Sequence, residues 1–185
     1  KIYPSDPHAV SVFTVTKDYK TARTFRVENG ELVCHNDSFF TEPGAEKGIG
    51  IDIFAAQVTN CAAYGVATID TFAAGSKTSD MNGYYTWPRF GYDAGLSGPI
   101  RRRLPPELRS CTLLSDLMRT KNGRDWWKEN GSTTECQFDL TEGSMSRRVL
   151  AAYIAERFPD RGSEYKYADS RANAGHGNQH PHAEN

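Results

Sequence analysis

The residues best suited to chemistry form a glycine-rich segment, Lys47-Gly48-Ile49-Gly50, that directly precedes a helical pattern. Glycine allows the backbone to turn tightly and to approach a ligand closely. The first turn of a helix also leaves N–H groups without partners at the positive end of the helix dipole, an arrangement that suits phosphate. The segment therefore predicts a phosphate-binding loop made of backbone amides, with an ordinary tight turn as the alternative.

This segment differs from the two most familiar phosphate-binding motifs. Ile53 stands where a dinucleotide-binding GxGxxG loop has its third glycine. The Gly-Lys-Ser/Thr ending of a nucleoside-triphosphate loop is also missing from this stretch. The loop therefore matches neither class.

Two further features carry groups that could take part in a reaction. Asp70 lies inside the apolar run VATIDTFAA, where burial would raise the pKa of its carboxyl towards the range of a general base. An outward-facing or arginine-paired carboxylate is the alternative. Residues 82–93, NGYYTWPRFGYD, hold five aromatic residues that would line a groove or pack in the core, and a tyrosine hydroxyl can donate a proton.

The strands and helices that must position these residues are predicted from residue types and from the spacing of apolar residues along the chain. Residues 9–16, 22–27 and 32–40 are rich in β-branched and aromatic types and predict three strands. Asn29-Gly30 between the last two strands predicts a tight hairpin. The N-terminal part is therefore expected to be an antiparallel meander.

A helix and a central strand are predicted next. The apolar residues that fall on one helical face are Ile51, Phe54, Ala55, Val58 and Ala62. Gly65 marks the left-handed end of this helix, and residues 66–74 predict a strand with little charge. Strand, glycine-rich loop, helix and strand together make a β–α–β unit with the loop at the start of its helix.

The C-terminal half predicts helices joined by a connector. Three consecutive arginines and a proline pair mark residues 99–106 as that connector. The remaining predicted elements are helices at residues 107–119, 123–130 and 146–158 and a short strand at 137–140.

These elements predict three regions along the chain. Residues 1–98 are expected to form the core, and residues 99–160 a helical extension packed on it. Residues 161–185 are expected to be a flexible polar tail because apolar residues become scarce there.

Length and composition limit the classes of function. The chain has 185 residues and a formal net charge of -1, so a general nucleic-acid binder is not expected. No apolar run approaches the roughly 20 residues needed to cross a bilayer, so a soluble, cytoplasmic protein is expected. The four cysteines are too far apart for a CxxC pair and are expected to be buried thiols, with one or two disulfides as the alternative. No metal site is predicted.

The run KGIGIDIFAAQVTNCAAYGVATIDTFAA, followed by NGYYTWPRFGYD, resembles the GNAT superfamily of acyl-coenzyme-A-dependent N-acyltransferases. Members of that family carry an Arg/Gln-x-x-Gly-x-Gly/Ala loop at a helix start, then a strand and a short helix that ends in a Gly-Phe-like turn. Here the loop corresponds to residues 45–50 and the turn to Phe90-Gly91-Tyr92. The resemblance covers about residues 10–95 and includes the order of the antiparallel strands.

The resemblance implies a fold, a cofactor and an activity. The implied fold is α/β, with a mixed, mostly antiparallel sheet flanked by helices. The implied activity is an N-acetyltransferase that moves an acetyl group from acetyl-CoA to an unidentified amine, carried by a small molecule or a peptide. By position, the residues implied to hold the cofactor pyrophosphate are Ala45, Glu46, Lys47, Gly48, Ile49 and Gly50.

Two positions depart from the family pattern and leave the catalytic residues open. Ala45 stands where the family has Arg or Gln, and Trp87 stands where it frequently has an acid tyrosine. The candidates are Tyr84 and Tyr85 for the acid that protonates the leaving thiolate, and Asp70, Asp37 and Glu42 for the base.

The same departures support a hypothesis of another class. The chain would then be a non-catalytic GNAT-like domain in a larger assembly such as a viral particle, and it would bind a protein partner through the C-terminal extension. A third interpretation is a domain of superficial resemblance that binds some other phosphate ligand.

Overall fold

Alternation of β-branched and polar residues builds the N-terminal half of the protein as antiparallel strands. The computed structural model describes residues 2–3 and 8–159. Its first four strands, each antiparallel to the next, are β1 (Ile2–Tyr3), β2 (Ala9–Val15), β3 (Tyr19–Glu28) and β4 (Glu31–Thr41). Asn29 and Gly30 have positive φ angles of 52° and 86°, which a two-residue hairpin turn requires, so the predicted hairpin is confirmed.

A parallel β–α–β unit completes the centre of the sheet. Helix α1 (Ile49–Ala63) crosses from β4 to the parallel strand β5 (Val66–Ser76) and ends before Gly65, whose φ of 74° confirms the predicted left-handed stop. Strand β6 (Ser132–Asp139) pairs with β5 in the antiparallel sense. The strand order is β1-β2-β3-β4-β5-β6, so the predicted α/β class with a mixed, mostly antiparallel sheet is confirmed.

The remaining helices are short except for the last. They are α2 (Gly83–Arg89), α3 (Gly98–Arg103), α4 (Leu114–Met118), α5 (Lys121–Asn130) and α6 (Met145–Arg157), with a 3₁₀ turn at Pro106–Leu108. In addition, Asp93 pairs with Gln137 by an isolated bridge beside β6.

Two predictions in the C-terminal half are wrong. The connector predicted at residues 99–106 contains α3, because Pro99 lies in the first helical turn, where its missing N–H costs nothing. The helix predicted at residues 107–119 is interrupted, because the Asp116 carboxylate accepts the backbone N–H groups of Thr112 and Leu113 at 2.9 Å and 3.0 Å and so caps a new helix. The apolar spacing alone did not reveal this cap.

Two groups of buried side chains hold the protein together. The sheet cluster joins α1 and α6 to one face of the sheet, and its larger members are Ile51, Phe54, Val58, Ile69, Tyr92, Phe138, Leu150 and Ile154. The extension cluster surrounds α4 and α5 and consists of Leu96, Leu104, Leu108, Cys111, Leu114, Leu117, Met118 and Trp127. Strand β6 and helix α6 fall within the predicted extension, yet they complete the sheet and the sheet cluster. The tail predicted at 161–185 lies outside the described residues.

The opposite face of the sheet, called the open face below, carries exposed apolar side chains. Phe13, Val15, Phe40 and Phe72 alternate along their strands with residues that face α1, and they are 45%, 72%, 58% and 56% exposed. Phe40 and Phe72 lie on the neighbouring strands β4 and β5. The open face therefore presents aromatic surface close to the line where those two strands meet.

We expect Gly91→Ala to destabilise the protein far more than Gly30→Ala. Both glycines have positive φ, which alone costs an alanine about 1–2 kcal/mol. A Cβ at Gly91 would also lie 2.3 Å from the carbonyl oxygen of Ser146, whereas a Cβ at Gly30 would meet nothing within 4 Å. Urea unfolding should give a loss of at least about 3 kcal/mol for the first variant and about 1 kcal/mol for the second. Equal losses would contradict the close approach of this turn to α6.

Candidate functional site

The two parallel strands at the centre of the sheet separate before they end. Their register stops at the pair Asn36 and Thr71, yet β4 continues to Thr41 and β5 continues to Ser76. Residues 37–41 and 72–76 are therefore not paired with each other. A cavity of about 530 Å³ fills the gap between them.

A β-bulge in β4 opens one side of this gap, and a close contact between α2 and β5 forms its other side. Ala22 pairs with Ser38 and Arg23 pairs with Asn36, so Asp37 is the extra residue of a β-bulge in β4. A bulge bends its strand and increases the local twist, which turns the end of β4 away from β5. On the other side, a Cβ at Gly83 would lie only 2.9 Å from the carbonyl oxygen of Ala74, so α2 begins in close contact with β5.

Aromatic and small polar side chains line the gap. The lining residues from α1 and α2 and from the separated strands include Phe39, Thr41, Gly50, Phe72, Asp80, Asn82, Thr86, Trp87 and Phe90. The Trp87 ring packs edge-on against Phe39 and Phe54, at centroid distances of 5.6 Å and 5.7 Å. Trp87 therefore forms a rigid wall at the position where the family frequently has its acid tyrosine.

A buried hydrogen-bond network fixes the point at which the strands separate. Thr71 Oγ1 donates to the Asn36 carbonyl oxygen at 3.1 Å across the two strands. Gln57 Nε2, from α1, donates to Asn36 Oδ1 at 2.7 Å, and Asn36 Nδ2 donates to the Tyr92 hydroxyl at 2.9 Å. Burial raises the pKa of Tyr92 well above its ordinary value, so the phenol stays protonated. The sequence analysis missed this network because its members are far apart in the chain.

The glycine-rich loop forms a second cavity of about 440 Å³ at the start of α1. All six residues predicted at the loop line this cavity: Ala45, Glu46, Lys47, Gly48, Ile49 and Gly50. The lining also includes Arg157 and Tyr153 from α6, which the sequence analysis did not single out. Because Thr41, Gly50 and Phe90 line both cavities, the two are neighbours, and together they are called the groove below.

The backbone at the loop is arranged to accept an anion. Gly48 has a φ of 98° and precedes the first residue of α1, and its carbonyl oxygen accepts the N–H groups of Ile51 and Asp52. Among the described residues, the N–H groups of Gly48 and Gly50 have no backbone acceptor. The lining of the same cavity includes two cationic side chains, Lys47 and Arg157, and two acidic ones, Glu42 and Glu46. These amides and cations are the features that bind phosphate groups.

The structure does not bring Tyr84 or Tyr85 to the groove. Tyr84 is buried between α2 and α5, where its hydroxyl donates to the Lys128 carbonyl oxygen at 2.8 Å. Desolvation by burial raises the pKa of Tyr84. The Tyr85 ring packs on the extension cluster with the Lys128 ammonium 5.9 Å from its centroid. Neither residue lines the groove, so their predicted acid role has no geometric support here.

We expect Tyr84→Phe to lower stability without changing ligand binding at the groove, which the Tyr84 side chain does not line. The substitution removes one hydrogen bond to a backbone carbonyl, which should cost about 1 kcal/mol. Tyr85→Phe is a matched control with no such hydroxyl contact to lose. Thermal unfolding and calorimetry on both variants check this expectation. A selective loss of acetyl transfer with unchanged stability would restore Tyr84 as a catalytic candidate.

Asp70 also lies away from the groove. It stands opposite His35 on the open face, where Gln137 Nε2 donates to its Oδ1 at 3.0 Å and Arg26 Nη2 lies 3.7 Å from its Oδ2. This is the paired arrangement that the sequence analysis held as the alternative for Asp70.

The other two candidate bases lie along the groove. Asp37 lines the gap, is exposed at the bulge and accepts a hydrogen bond of 2.8 Å from the Thr24 hydroxyl. Glu42 lines the loop cavity and forms an ion pair with Lys20 at 2.5 Å. Asp37 is therefore the predicted carboxylate that lies at the gap itself.

Comparisons with known proteins do not assign a function to this chain, so its function must be inferred from the geometry of the site. No family model matches the chain, and no curated protein matches it in sequence. Within the described residues, no helix is both long and apolar enough to cross a membrane. In the same part of the chain, no three His, Cys, Asp or Glu side chains are grouped to hold a metal ion.

Proposed function

We propose that the protein is a GNAT-like N-acetyltransferase that binds acetyl-CoA in the groove between the loop and the gap. One observation carries this proposal. The two parallel strands separate just beyond a helix that begins at a glycine-rich loop, so a candidate phosphate site lies next to an open gap in the sheet. A ligand with a pyrophosphate at one end and an extended chain at the other fits this shape.

The loop would hold the pyrophosphate. The N–H groups of Gly48 and Gly50 have no backbone acceptor within the described residues, and they lie at the positive end of a 15-residue helix. Lys47 and Arg157 would neutralise the remaining charge from either side of the cavity. The backbone therefore supplies most of this site, which explains why Ala45 can replace the family's Arg or Gln.

The gap would hold the extended arm that carries the thioester. Residues 37–41 and 72–76 have strand conformation but no pairing across the gap. Apart from Gly75, which is bridged to Asn82, the backbone groups on the gap side of these segments would hydrogen-bond to the amides of an extended ligand, as an added strand does. Phe39 and Trp87 supply apolar walls for the methylene groups of that arm.

Asp37 is the residue that we assign to proton transfer in place of Asp70. Acetyl-CoA supplies the acetyl group as a thioester, and an amine must lose a proton as it forms the new C–N bond. The Asp37 carboxylate lines the gap, is open to solvent and is oriented by the Thr24 hydroxyl, so it can accept that proton directly or through water. Because Trp87 cannot donate a titratable proton, water is assigned as the source of the proton for the thiolate.

The acceptor amine would approach from the open face of the sheet. The α1 side of the gap is occupied by Phe54, Phe90 and Trp87, whose rings are packed together. The open face at the gap instead presents Phe40, Phe72 and Asp37 to solvent. This arrangement favours a small-molecule or peptide amine that combines an apolar body with a positive charge, in a cytoplasmic enzyme.

A calorimetric titration with acetyl-CoA tests the proposal. We expect micromolar binding that weakens when analogues lacking phosphate groups are used, and weakens less with a desulfo analogue. Binding should be followed by acetyl transfer to a panel of apolar amines, and Asp37→Asn should slow that transfer while leaving acetyl-CoA affinity unchanged. A folded chain that does not bind acetyl-CoA would refute the proposal.

A non-catalytic GNAT-like domain in a larger assembly, such as a viral particle, is the second candidate. The observation that favours it is that, within the described residues, no tyrosine lines the gap: Trp87 lies there, the Tyr84 hydroxyl is bound to a carbonyl, and Tyr153 lines the loop cavity instead. This candidate requires a stable complex with a protein partner, formed through the extension. Acetyl-CoA turnover by the isolated chain would dismiss it.

A further inference from the structure

A partly buried arginine side chain lies without a hydrogen-bond partner beneath α1. The Nε and Nη2 atoms of Arg23 are buried, and neither has a partner among the described residues. A buried cation is costly unless an anion lies close to it. Within the same described residues, Arg23 forms no ion pair with a carboxylate. Among the described residues, a group other than a carboxylate must therefore supply the compensating negative charge.

Two cysteines next to Arg23 can supply that anion. Cys34 lies on β4, facing α1, and accepts a hydrogen bond of 3.5 Å from Gln57 Nε2. Cys61 lies one helical turn after Gln57 on the same side of α1, and both cysteines belong to the sheet cluster, which places the two thiols close together. Cys34 is 0% exposed and Cys61 is 5% exposed, so a small reagent would reach the pair at Cys61.

We propose that Cys34 and Cys61 form a peroxide-sensitive dithiol, in which Arg23 stabilises the reactive Cys61 thiolate and oxidation closes a disulfide between α1 and β4. The oxidant is a hydroperoxide. The Cys61 thiolate attacks the O–O bond to form S–OH and releases hydroxide or alkoxide, which takes up a proton. The Cys34 sulfur then forms the S–S bond and expels the S–OH oxygen, which leaves as water with the Cys34 proton.

The pKa shifts of the four cysteines support Cys61 as the first thiol to be oxidised. The pKa of Cys61 is lowered by its contact with the Cys34 thiol and by the nearby Arg23 charge. The contact with Cys61 and burial raise the pKa of Cys34, although the Arg23 charge acts on it in the lowering direction. Burial raises the pKa of Cys136 to about 12 and also raises that of Cys111. Since the thiolate is the nucleophile, Cys61 is expected to react first.

Peptide mapping after mild peroxide treatment tests the proposal. Trypsin places the four cysteines in four different peptides, residues 27–47, 48–77, 110–119 and 129–147. The reduced full chain is treated with hydrogen peroxide, and the remaining thiols are alkylated under denaturing conditions. We expect the first two peptides to be joined with the loss of two hydrogens, and to separate again with dithiothreitol. Oxidation of Cys111 or Cys136 before this pair would overturn the proposal.

Variants separate the roles of the three residues. In Cys34→Ser, a sulfenic-acid probe should label Cys61, whereas Cys111→Ser and Cys136→Ser should still form the cross-link. Arg23→Met should slow cross-linking about tenfold, the effect of one pKa unit on the thiolate fraction, and Arg23→Lys should largely restore it. Wild-type rates in Arg23→Met would remove Arg23 from the site. This inference does not depend on the proposed acetyltransferase, because its readout is thiol chemistry alone.

Discussion

Gly50→Asp is expected to abolish measurable acetyl-CoA binding while leaving the protein folded. Gly50 lines both parts of the groove, at the second position of α1. A carboxylate there would lie against the proposed pyrophosphate, and a like-charge pair near a protein surface costs about 2–4 kcal/mol, or about 30- to 1000-fold in affinity. An acidic residue in the first turn interacts favourably with the helix dipole, so α1 should not be destabilised. Calorimetry gives the affinity, and urea unfolding gives the stability.

Gly50→Ala is the matched control for the charge. A Cβ at residue 50 would lie 3.7 Å from Phe39 Cε1 and 3.8 Å from Thr41 Cγ2, which are ordinary contact distances. The alanine variant should therefore bind acetyl-CoA nearly as well as the original protein and be slightly more stable, because alanine favours a helix over glycine. If both variants lose binding equally, the backbone at this position is disturbed and the charge argument fails. If both bind normally, the phosphate site lies elsewhere.

The parts of the fold that the sequence predicts are those encoded by neighbouring residues. Asn29-Gly30 specifies a hairpin because both residues tolerate positive φ, and Gly65 specifies a helix end for the same reason. The apolar spacing from Ile51 to Ala62 specifies one helical face. The phosphate role of the loop before this helix stays a prediction, and it is drawn from the unpaired amides and the dipole at a helix start.

The gap itself could not be predicted, because it depends on contacts between distant residues. The bulge at Asp37 is visible only from the register of β3 against β4. Arg157 reaches the loop cavity from a helix that begins almost a hundred residues later in the chain. Similarly, the sequence indicates Tyr84 as a candidate acid, but in the structure its hydroxyl donates a hydrogen bond to the backbone carbonyl oxygen of Lys128 on α5. Residue type indicated chemistry, whereas tertiary packing decided which residues reach the groove.

One of the two departures from the GNAT pattern, Trp87, lies in a wall of the gap. Trp87 contacts Phe39, Phe54, Phe90 and Tyr92, so replacing it with a tyrosine would change packing as well as chemistry. Trp87 is therefore a packing residue, and the proton acceptor that we propose is Asp37, which lies on β4 at the same gap. This division is consistent with an enzyme that relies on positioning and solvent, and it makes Asp37→Asn more informative than any tyrosine variant.

Phe54→Ala is expected to cost about 3–5 kcal/mol of stability, the largest effect of any single substitution considered for this fold. Phe54 is 0% exposed and occupies the centre of the sheet cluster. Its ring lies 5.3–5.8 Å from four others, and these neighbours are Trp87, Phe90, Tyr92 and Phe138. Alanine would leave a cavity at the junction of α1, α2 and β6. Because small proteins are stable by about 5–15 kcal/mol, this loss should bring unfolding within reach of low urea concentrations.

Tyr64→Ala is the control that separates burial from the loss of an aromatic ring. Tyr64 lies just after α1 and is 81% exposed, so its removal should change stability by less than about 0.5 kcal/mol. Phe54→Leu should recover part of the loss, since it refills some of the cavity. The Trp87 ring packs against Phe54, and Trp87 lines the gap proposed to hold acetyl-CoA. Phe54→Ala should therefore also weaken acetyl-CoA binding under conditions where the protein remains folded. Similar stability losses at Phe54 and Tyr64 would show that the aromatic cluster does not hold the groove together.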